Sequence, residues 1–408
     1  MNHPHGVVGH WKGDWDEPAL VRWIQSLRAR LDAPAVTLGL IFPTTPLLDR
    51  ATELLDLVRV YGQVPLLAGC STHALVCEGH EYEPSGPAES GFTLGLYALP
   101  GARLTARHIG SQAQEAVENA PNPTRYWQDL TGITPENSRG WLAFMNPFGW
   151  EGERWISQWN VAYPGIPCIG GLATGNWEDP LAHVYLNGTA HEEGAVLINF
   201  SGDVALETMV SQGCTPIGQP WTITKADRNF IHSIANQPAY KVLVDTFNGL
   251  PRDQQRRVMG NVFVGFASSE YREELRRGDF LVRNLLMADP GAGVLAVGAQ
   301  PRTGQTIQFQ TRDATSATED LGWQLARLRE RLAGREIYGG FLGVCGGRGQ
   351  RLFGVKDHDA AMVQGQLGAF PLIGCFCNGE IGPVGGRNFL HGYTATLGLF
   401  VGSPVTTP

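Results

Sequence analysis

Basic runs are missing from this chain of 408 residues, and its formal net charge is -8. Without a positive stripe there is no electrostatic footprint for nucleic acid or for an anionic lipid surface, so neither is expected as a partner. Long apolar stretches are missing too. Runs such as "GAVLINF" are far too short to span a bilayer, and the start, "MNHPHGVVGHWKGDW", has no apolar segment behind a positive one. The expected location is therefore the cytoplasm. Cysteine is scarce and odd in number, with seven residues scattered from Cys70 to Cys377, which excludes a disulfide framework and implies reduced thiols. The common catalytic signatures are absent as well: no Walker loop, no G-x-G-x-x-G opening a helix, no H-E-x-x-H, no G-x-S-x-G and no paired C-x-x-C. No cofactor and no metal are expected. Cys375 and Cys377 form one C-x-C, but a structural zinc site needs about four ligands, so buried inert thiols are the expectation there. His3, His5 and His10 read as a solvated, mobile tail.

What the chain has in quantity is glycine, 52 residues, concentrated in turns that follow short apolar runs. One arrangement occurs three times. "VTLGLIFPTT" leads through "PLLDRATELLDLVRVYG" to "VPLLAGCSTHA" and then "GFTLGLYAL"; "GWLAFMNPFG" leads through "GERWISQWNVAYPG" to "IPCIGGLATGN" and "GAVLINFSG"; "GGFLGVCGGRG" leads through "DHDAAMVQGQLG" to "FPLIGCFCNGE" and "HGYTATLGLFVG". Each copy reads as strand, helix, strand running into a glycine turn, and return strand. Prolines 65, 167 and 371 stiffen the entry to the second strand in the three copies. The fold class is therefore α/β to α+β, in two domains with repeated strand-helix-strand units and mixed β-sheets flanked by helices.

Three further helices are expected. "WDEPALVRWIQSLRARLDAP" aligns Leu20, Ile24, Leu27 and Leu31 and stops at Pro34; "TSATEDLGWQLARLRERLAG" aligns Leu321, Leu325, Leu328 and Leu332, with Gly334 suited to the C-cap. "TKADRNFIHSIANQPAYKVLVDTFNGL" opens with Thr224 and Asp227 at capping-box spacing. A polar, Gly/Pro-rich passage places a domain boundary near Gly218, giving a helical lead over 1–34, a first domain over 35–218 and a second over 219–408.

Glycine turns let backbone N–H groups converge on an anionic oxygen and let a ligand approach the main chain. The turns carry Gly69, Cys70, Ser71 and Thr72, then Thr174, and finally Arg348, Asn378 and Glu380. A guanidinium and a carboxylate on a neutral nest would suit the two ends of an amino acid or similar zwitterion. Arg348 and the amides from Gly69 to Ser71 are thus expected to hold an anionic group, and Glu380 an amine or hydroxyl. Arg283 in "GDFLVRNLL" and Arg312 with Asp313 in "TIQFQTRDA" sit in apolar strands, where they either pair structurally or, as for Arg283, line the cavity. A different reading is a thiol-dependent hydrolase or transferase using Cys70 or Cys345; His73, next but one to Ser71, is poorly directed to serve Cys70 as a base.

"PLIGCFCNGEIGPVGGRNFLHGYTA" resembles the signature of the FIST family, sensory modules of prokaryotic signalling proteins and F-box proteins. "SQGCTPIGQPWTIT", "GDFLVRN", "FQTRDA" and "FLGVCGGRG" precede it in the family's order, "LLAGCSTHA" resembles the amino-terminal portion, and the resemblance runs from about Ala35 to Leu399. It implies two linked FIST halves that bind a small ligand, such as an amino acid, and pass occupancy on. It implies no catalytic residue set, which argues against an enzyme. No kinase, cyclase, methyl-acceptor or F-box segment is visible here, so the signal is expected to go through a separate partner protein or a homo-oligomer.

Overall fold

The computed structural model describes residues 4–84, 86, 89–175, 181–271 and 274–402. They form two compact units: Met1–Val210 together with Leu325–Pro408, and Ser211–Gln324. The first unit is thus discontinuous in sequence, with the second inserted between its two segments, whereas the sequence suggested consecutive domains meeting near Gly218. Gly218 itself lies within a strand, Thr215–Asp227, at φ 65°.

All three sequence copies lie in the first unit, and each repeats one set of pairings. In copy one, the first strand Leu38–Pro43 leads through the helix Ala51–Tyr61 to the parallel strand Leu67–Cys70, then to a hairpin (Leu75–Cys77, His80–Tyr82) and the antiparallel return strand Gly91–Tyr97. Copy two follows with Trp141–Met145, Gly152–Ala162, Cys168–Leu172, the hairpin Val184–Leu186 with Thr189–His191, and Ala195–Gly202. Copy three has Ile337–Cys345, His358–Leu367, Leu372–Cys377, the hairpin Glu380–Val384 with Arg387–His391, and Ala395–Gly402.

The hairpins are exchanged in a cycle. The hairpin of copy one pairs with the second strand of copy three, that of copy two with copy one, and that of copy three with copy two. Each of the three resulting sheets has six strands. The exchange ties sequence-distant segments together, so no copy completes its sheet alone. Register makes the copies superposable by position: Ile41 lies opposite Gly69, Ala143 opposite Gly170, and Leu342 opposite Gly374. A Cβ on any of these three glycines would overlap the carbonyl oxygen of that same partner, so close backbone approach requires glycine in every copy.

One face of each sheet feeds a shared core. Phe42, Phe144 and Phe341, one from each first strand, meet with ring centroids 5.3, 5.5 and 5.4 Å apart. Outer faces are covered by helices. The helix Glu17–Ala29, capped by Asp16 accepting from the Ala19 N–H at 3.1 Å, buries Leu20, Ile24 and Leu27 with the copy-one helix. The copy-two helix packs a group of tryptophans, Trp127, Trp141, Trp155 and Trp159, all buried. The expected mobile tail is instead an edge strand, Gly6–Lys12, paired with Gly91–Tyr97; the His10 ring within it packs at a tilt against Tyr82, and His3 lies outside the described residues. Val7 and Val8, buried in different clusters, and Trp11 gave that strand apolar contacts that the polar flanks obscured.

The second unit is a closed antiparallel barrel, because Thr215–Asp227 pairs both with Thr306–Thr311 and with Phe230–Ile234. Val262–Ala267, Phe280–Asp289 and Val294–Val297 complete the ring. Here the sequence expectation of a helix opening at Thr224 fails. Residues 215–234 form a hairpin, with Ala235 and Asn236 turning at positive φ, and the helix starts only at Ala239. The Thr224 hydroxyl bonds across the strands to Ser233 Oγ at 2.8 Å rather than capping a helix. The helix Ala314–Leu332 forms as expected and buries its four leucines. Asp313 ahead of it accepts from Arg257 at 2.8 and 3.2 Å and from the Ser316 N–H.

Candidate functional site

The carboxyl ends of parallel strands are where ligand crevices form in α/β sheets, because chain direction and turns leave main-chain and side-chain polar groups facing one opening. Three such ends meet in the first unit. Counting from the paired glycines, His73, Thr174 and Asn378 occupy the same repeat position, four residues beyond Gly69, Gly170 and Gly374. His73 Nδ1 and Thr174 Oγ1 are 3.2 Å apart. Asn378 is exposed, and its N–H donates to the Leu172 carbonyl of copy two.

At the end of the first strands, the equivalent position is held by Thr44, Asn146 and Cys345. Of the seven free cysteines only Cys345 is partly exposed; the other six are buried. Its neighbours Gly346 and Gly347 are exposed. Gly346 donates its N–H to the Cys377 carbonyl, and a Cβ there would stand 3.1 Å from His73 Cε1, so the imidazole edge rests on a glycine.

The start of the exchanged hairpin adds the decisive group. Pairing places Leu75, Val184 and Glu380 at one repeat position. Two copies carry an aliphatic residue, and the third carries a fully buried carboxyl. Burying a carboxyl where the repeat accepts leucine or valine costs folding energy, and such departures mark sites with another use. Glu380 Oε2 accepts from the Thr394 N–H at 3.1 Å, while Oε1 has no hydrogen-bond partner among the described residues. Burial pushes the Glu380 carboxyl up to about 8, against the pull of the Thr394 amide, the Arg348 charge and the Cys345 side chain. Burial also lowers the His73 imidazole below its usual value. Near neutrality the site therefore presents a neutral acid and a neutral imidazole beside Cys345.

A turn with Tyr393 at φ 64° aims two successive amides into the same place. The Tyr393 N–H donates to Cys345 Sγ at 3.1 Å and the Thr394 N–H to Glu380, while the Thr394 carbonyl accepts from the Cys345 N–H at 2.9 Å. The Gly347 N–H reaches Cys345 Sγ at 3.5 Å. Holding a non-glycine residue at positive φ costs about 1 kcal/mol, and the return here is a pair of donors converging on sulfur and carboxyl.

Several sequence expectations change. Arg348 is fully buried and bound by both oxygens of Asp359, at 2.6 and 2.8 Å, so it is a core cation rather than a free anchor for a ligand anion. Burial alone would raise the Asp359 carboxyl, but the Arg348 charge and the His358 ring hold it well below the usual range. Gly69 and Cys70 lie on an interior strand between copies one and two, and the Ser71 N–H donates to the His183 carbonyl at 2.9 Å, so these amides serve the sheet and form no anion nest. Ser71 Oγ donates to the Thr174 carbonyl and Thr72 Oγ1 to the Phe376 carbonyl, both buried, so these hydroxyls join the copies to one another. Cys70 is 1% exposed within the core, which removes it as a nucleophile. Arg283 belongs to the barrel unit, where its Nη1 donates to the Val282 carbonyl.

Thr174 and Asn378 stand at one repeat position, and Glu380 opens the hairpin just after Asn378, paired with Gly171 of copy two. His73 and Tyr393 were missed as lining groups; the repeat position shared with Thr174 and Asn378 was the signal that could have found His73. A groove of about 530 Å³ elsewhere on the same unit is lined by Asn122, Arg125, Gln128 and Asp129 among others, and none of the residues singled out above lines it.

Comparison with known proteins bears on this site. Models of the FIST N domain and the FIST C domain match residues 37–237 and 239–383. An uncharacterized protein of Mycobacterium tuberculosis strain H37Rv is 33% identical over 353 residues, 86% of this chain and 88% of that protein. An uncharacterized protein of Mycobacterium bovis is 33% identical over 384 residues, 92% and 93% of the two chains. Among solved structures, a cyanuric acid hydrolase from A. caulinodans covers 98% of this chain and 100% of its own at 8% identity and a TM-score of 0.31, too slight a likeness to argue from.

Proposed function

Because this chain belongs to the FIST family, whose domains are generally proposed to sense small ligands, we propose that it binds a small metabolite where the three copies converge. The observation that carries this reading is the buried Glu380 carboxyl with one unpartnered oxygen, set where the other copies place Leu75 and Val184. A ligand amine or hydroxyl donating to that oxygen relieves an unmet hydrogen bond, which is worth about 1–3 kcal/mol for a buried group. Thr174, Asn378 and His73 supply the remaining polar contacts.

The amino-acid reading keeps its amine half and gives up the carboxylate half that Arg348 was to hold, because that guanidinium is engaged with Asp359. An amino acid, its amide or a small amine is the ligand class this lining suits. Binding of an ammonium draws the proton off Glu380 and creates a charge pair in a dry setting, so occupancy changes the electrostatics around Arg348 and Asp359. Transfer of that change to a separate partner protein, or across an oligomer, is the signalling step we propose. Seven free thiols fit a reducing cytoplasm, and among the described residues no helix is long and apolar enough to cross a membrane.

A thermal-shift screen over amino acids, amides and small amines tests this. A ligand at 100 times its dissociation constant stabilises the native state by about 2.7 kcal/mol. Stabilisation by members of the amine class that is lost in Glu380→Gln supports the reading. Stabilisation that persists in that variant, or none across the class, contradicts it.

A further inference from the structure

The same site holds a thiol in an arrangement that simple ligand recognition does not require. Cys345 Sγ accepts from the Tyr393 amide at 3.1 Å and from the Gly347 amide at 3.5 Å, so two main-chain donors fix the sulfur in place. The next amide in the chain, Thr394, holds one oxygen of Glu380 at 3.1 Å, which places the carboxyl beside that sulfur with its other oxygen unpartnered and fully buried. Cys345 is partly exposed between the buried strand and the exposed Gly346 and Gly347, and the ring of Tyr393, itself 37% exposed, rests beside Gly347. A nucleophile, a proton carrier next to it and an open approach are the three parts of covalent capture.

We propose that Cys345 adds to the carbonyl carbon of a small aldehyde bound at this site, with Glu380 carrying the proton. This deepens the small-ligand reading and rests on it. In the step, the sulfur–carbon bond forms as the carbonyl π bond breaks. The Glu380 O–H proton passes to the carbonyl oxygen and the thiol proton replaces it on the carboxyl. The product is a hemithioacetal, nothing leaves, nothing is oxidised or reduced, and the reaction reverses by the same path. An acid that keeps its proton near neutrality is what the carbonyl oxygen needs at the moment of attack. A covalent bond also gives a sensor discrimination among ligands of one size, since an alcohol or amide of the same shape cannot form it.

The test uses the full chain and propanal, with propan-1-ol as the matched non-electrophile. Alkylation of Cys345 by iodoacetamide is followed by intact mass and peptide mapping, with the aldehyde present and then removed. Propanal is expected to slow alkylation of Cys345 saturably and reversibly, and Glu380→Gln to weaken that protection by about tenfold or more. Equal protection by propan-1-ol, or protection undiminished in the variant, overturns the proposal. Should the variant fold poorly, the infrared band of a protonated carboxyl in the unmutated protein gives a second reading: it shifts when propanal is added, and an unchanged band overturns the step. If small amines stabilise the protein while propanal gives no protection, the covalent step fails and ligand binding stands; if neither acts, both fail.

Discussion

Replacing Glu380 by glutamine isolates the energetic signature of the site. The buried carboxyl titrates at about 8 in the folded chain against an ordinary value of 4.5, with burial as the main cause. Between those values the folded chain holds a proton that the unfolded chain has lost, so folding stability falls as pH rises, by about 1.4 kcal/mol per pH unit for one such group. Below the lower value both states are protonated and no cost arises; above the upper one the cost is constant. Glutamine has the shape of the protonated acid and no titration. The stability of Glu380→Gln relative to the unmutated chain should therefore rise with pH, by about 3 kcal/mol between roughly pH 5 and pH 7.5. Taking the difference matters because Glu81 is also pushed up, to about 7, by burial and the Asp359 charge, and contributes its own slope to both proteins. Arg348, Cys345 and Cys377 face Glu380 and His391 lies opposite it across the hairpin, and all four are present in both proteins. Urea unfolding at several pH values measures the quantity, with the slope of free energy on denaturant checked for constancy. A difference flat with pH refutes the claim that this carboxyl is held neutral by its surroundings.

Asp359→Ala removes the bidentate partner of a fully buried guanidinium and is expected to cost about 3–5 kcal/mol, read by the same urea titration; a loss under about 1 kcal/mol would mean that Arg348 reaches solvent. Gly170→Ala drives a methyl into the Ala143 carbonyl and should abolish soluble folded protein, while Gly365→Ala, exposed within His358–Leu367 with nothing within 4 Å of the new carbon, should raise stability by up to about 1 kcal/mol. Comparable melting temperatures for the two alanine variants would contradict the close strand approach. Iodoacetamide on the native chain should label Cys345 well ahead of the six buried cysteines; early labelling of Cys70 would show that the core opens there.

The three copies were readable because each carries its own local pattern of apolar run, helix and glycine turn. The helices Glu17–Ala29 and Ala314–Leu332 were readable from leucine spacing. Hairpin exchange was not, since which sheet edge Leu75–Cys77 joins depends on shape completed some three hundred residues later in Leu372–Cys377. The barrel strand Thr215–Asp227 and its partner were obscured by a mixture of polar and apolar residues that also fits helical spacing, and only the turn at Ala235 and Asn236 separates the two readings. At the site, Glu380 was legible as a lone acid in a glycine-rich setting. Arg348 was misread because a guanidinium among glycines looks exposed, and its partner Asp359 lies eleven positions on, at the start of a helix. His73 gained its place only through the register that equates it with Thr174 and Asn378.

A crystal structure of the chain soaked with the strongest amine-class stabiliser tests the central claim most directly. The account predicts the ligand at the convergent strand ends, donating to Glu380 Oε1 and within reach of Thr174 and His73. Density for it in the barrel or in the groove beside Asn122 and Arg125, with Glu380 untouched, would contradict it.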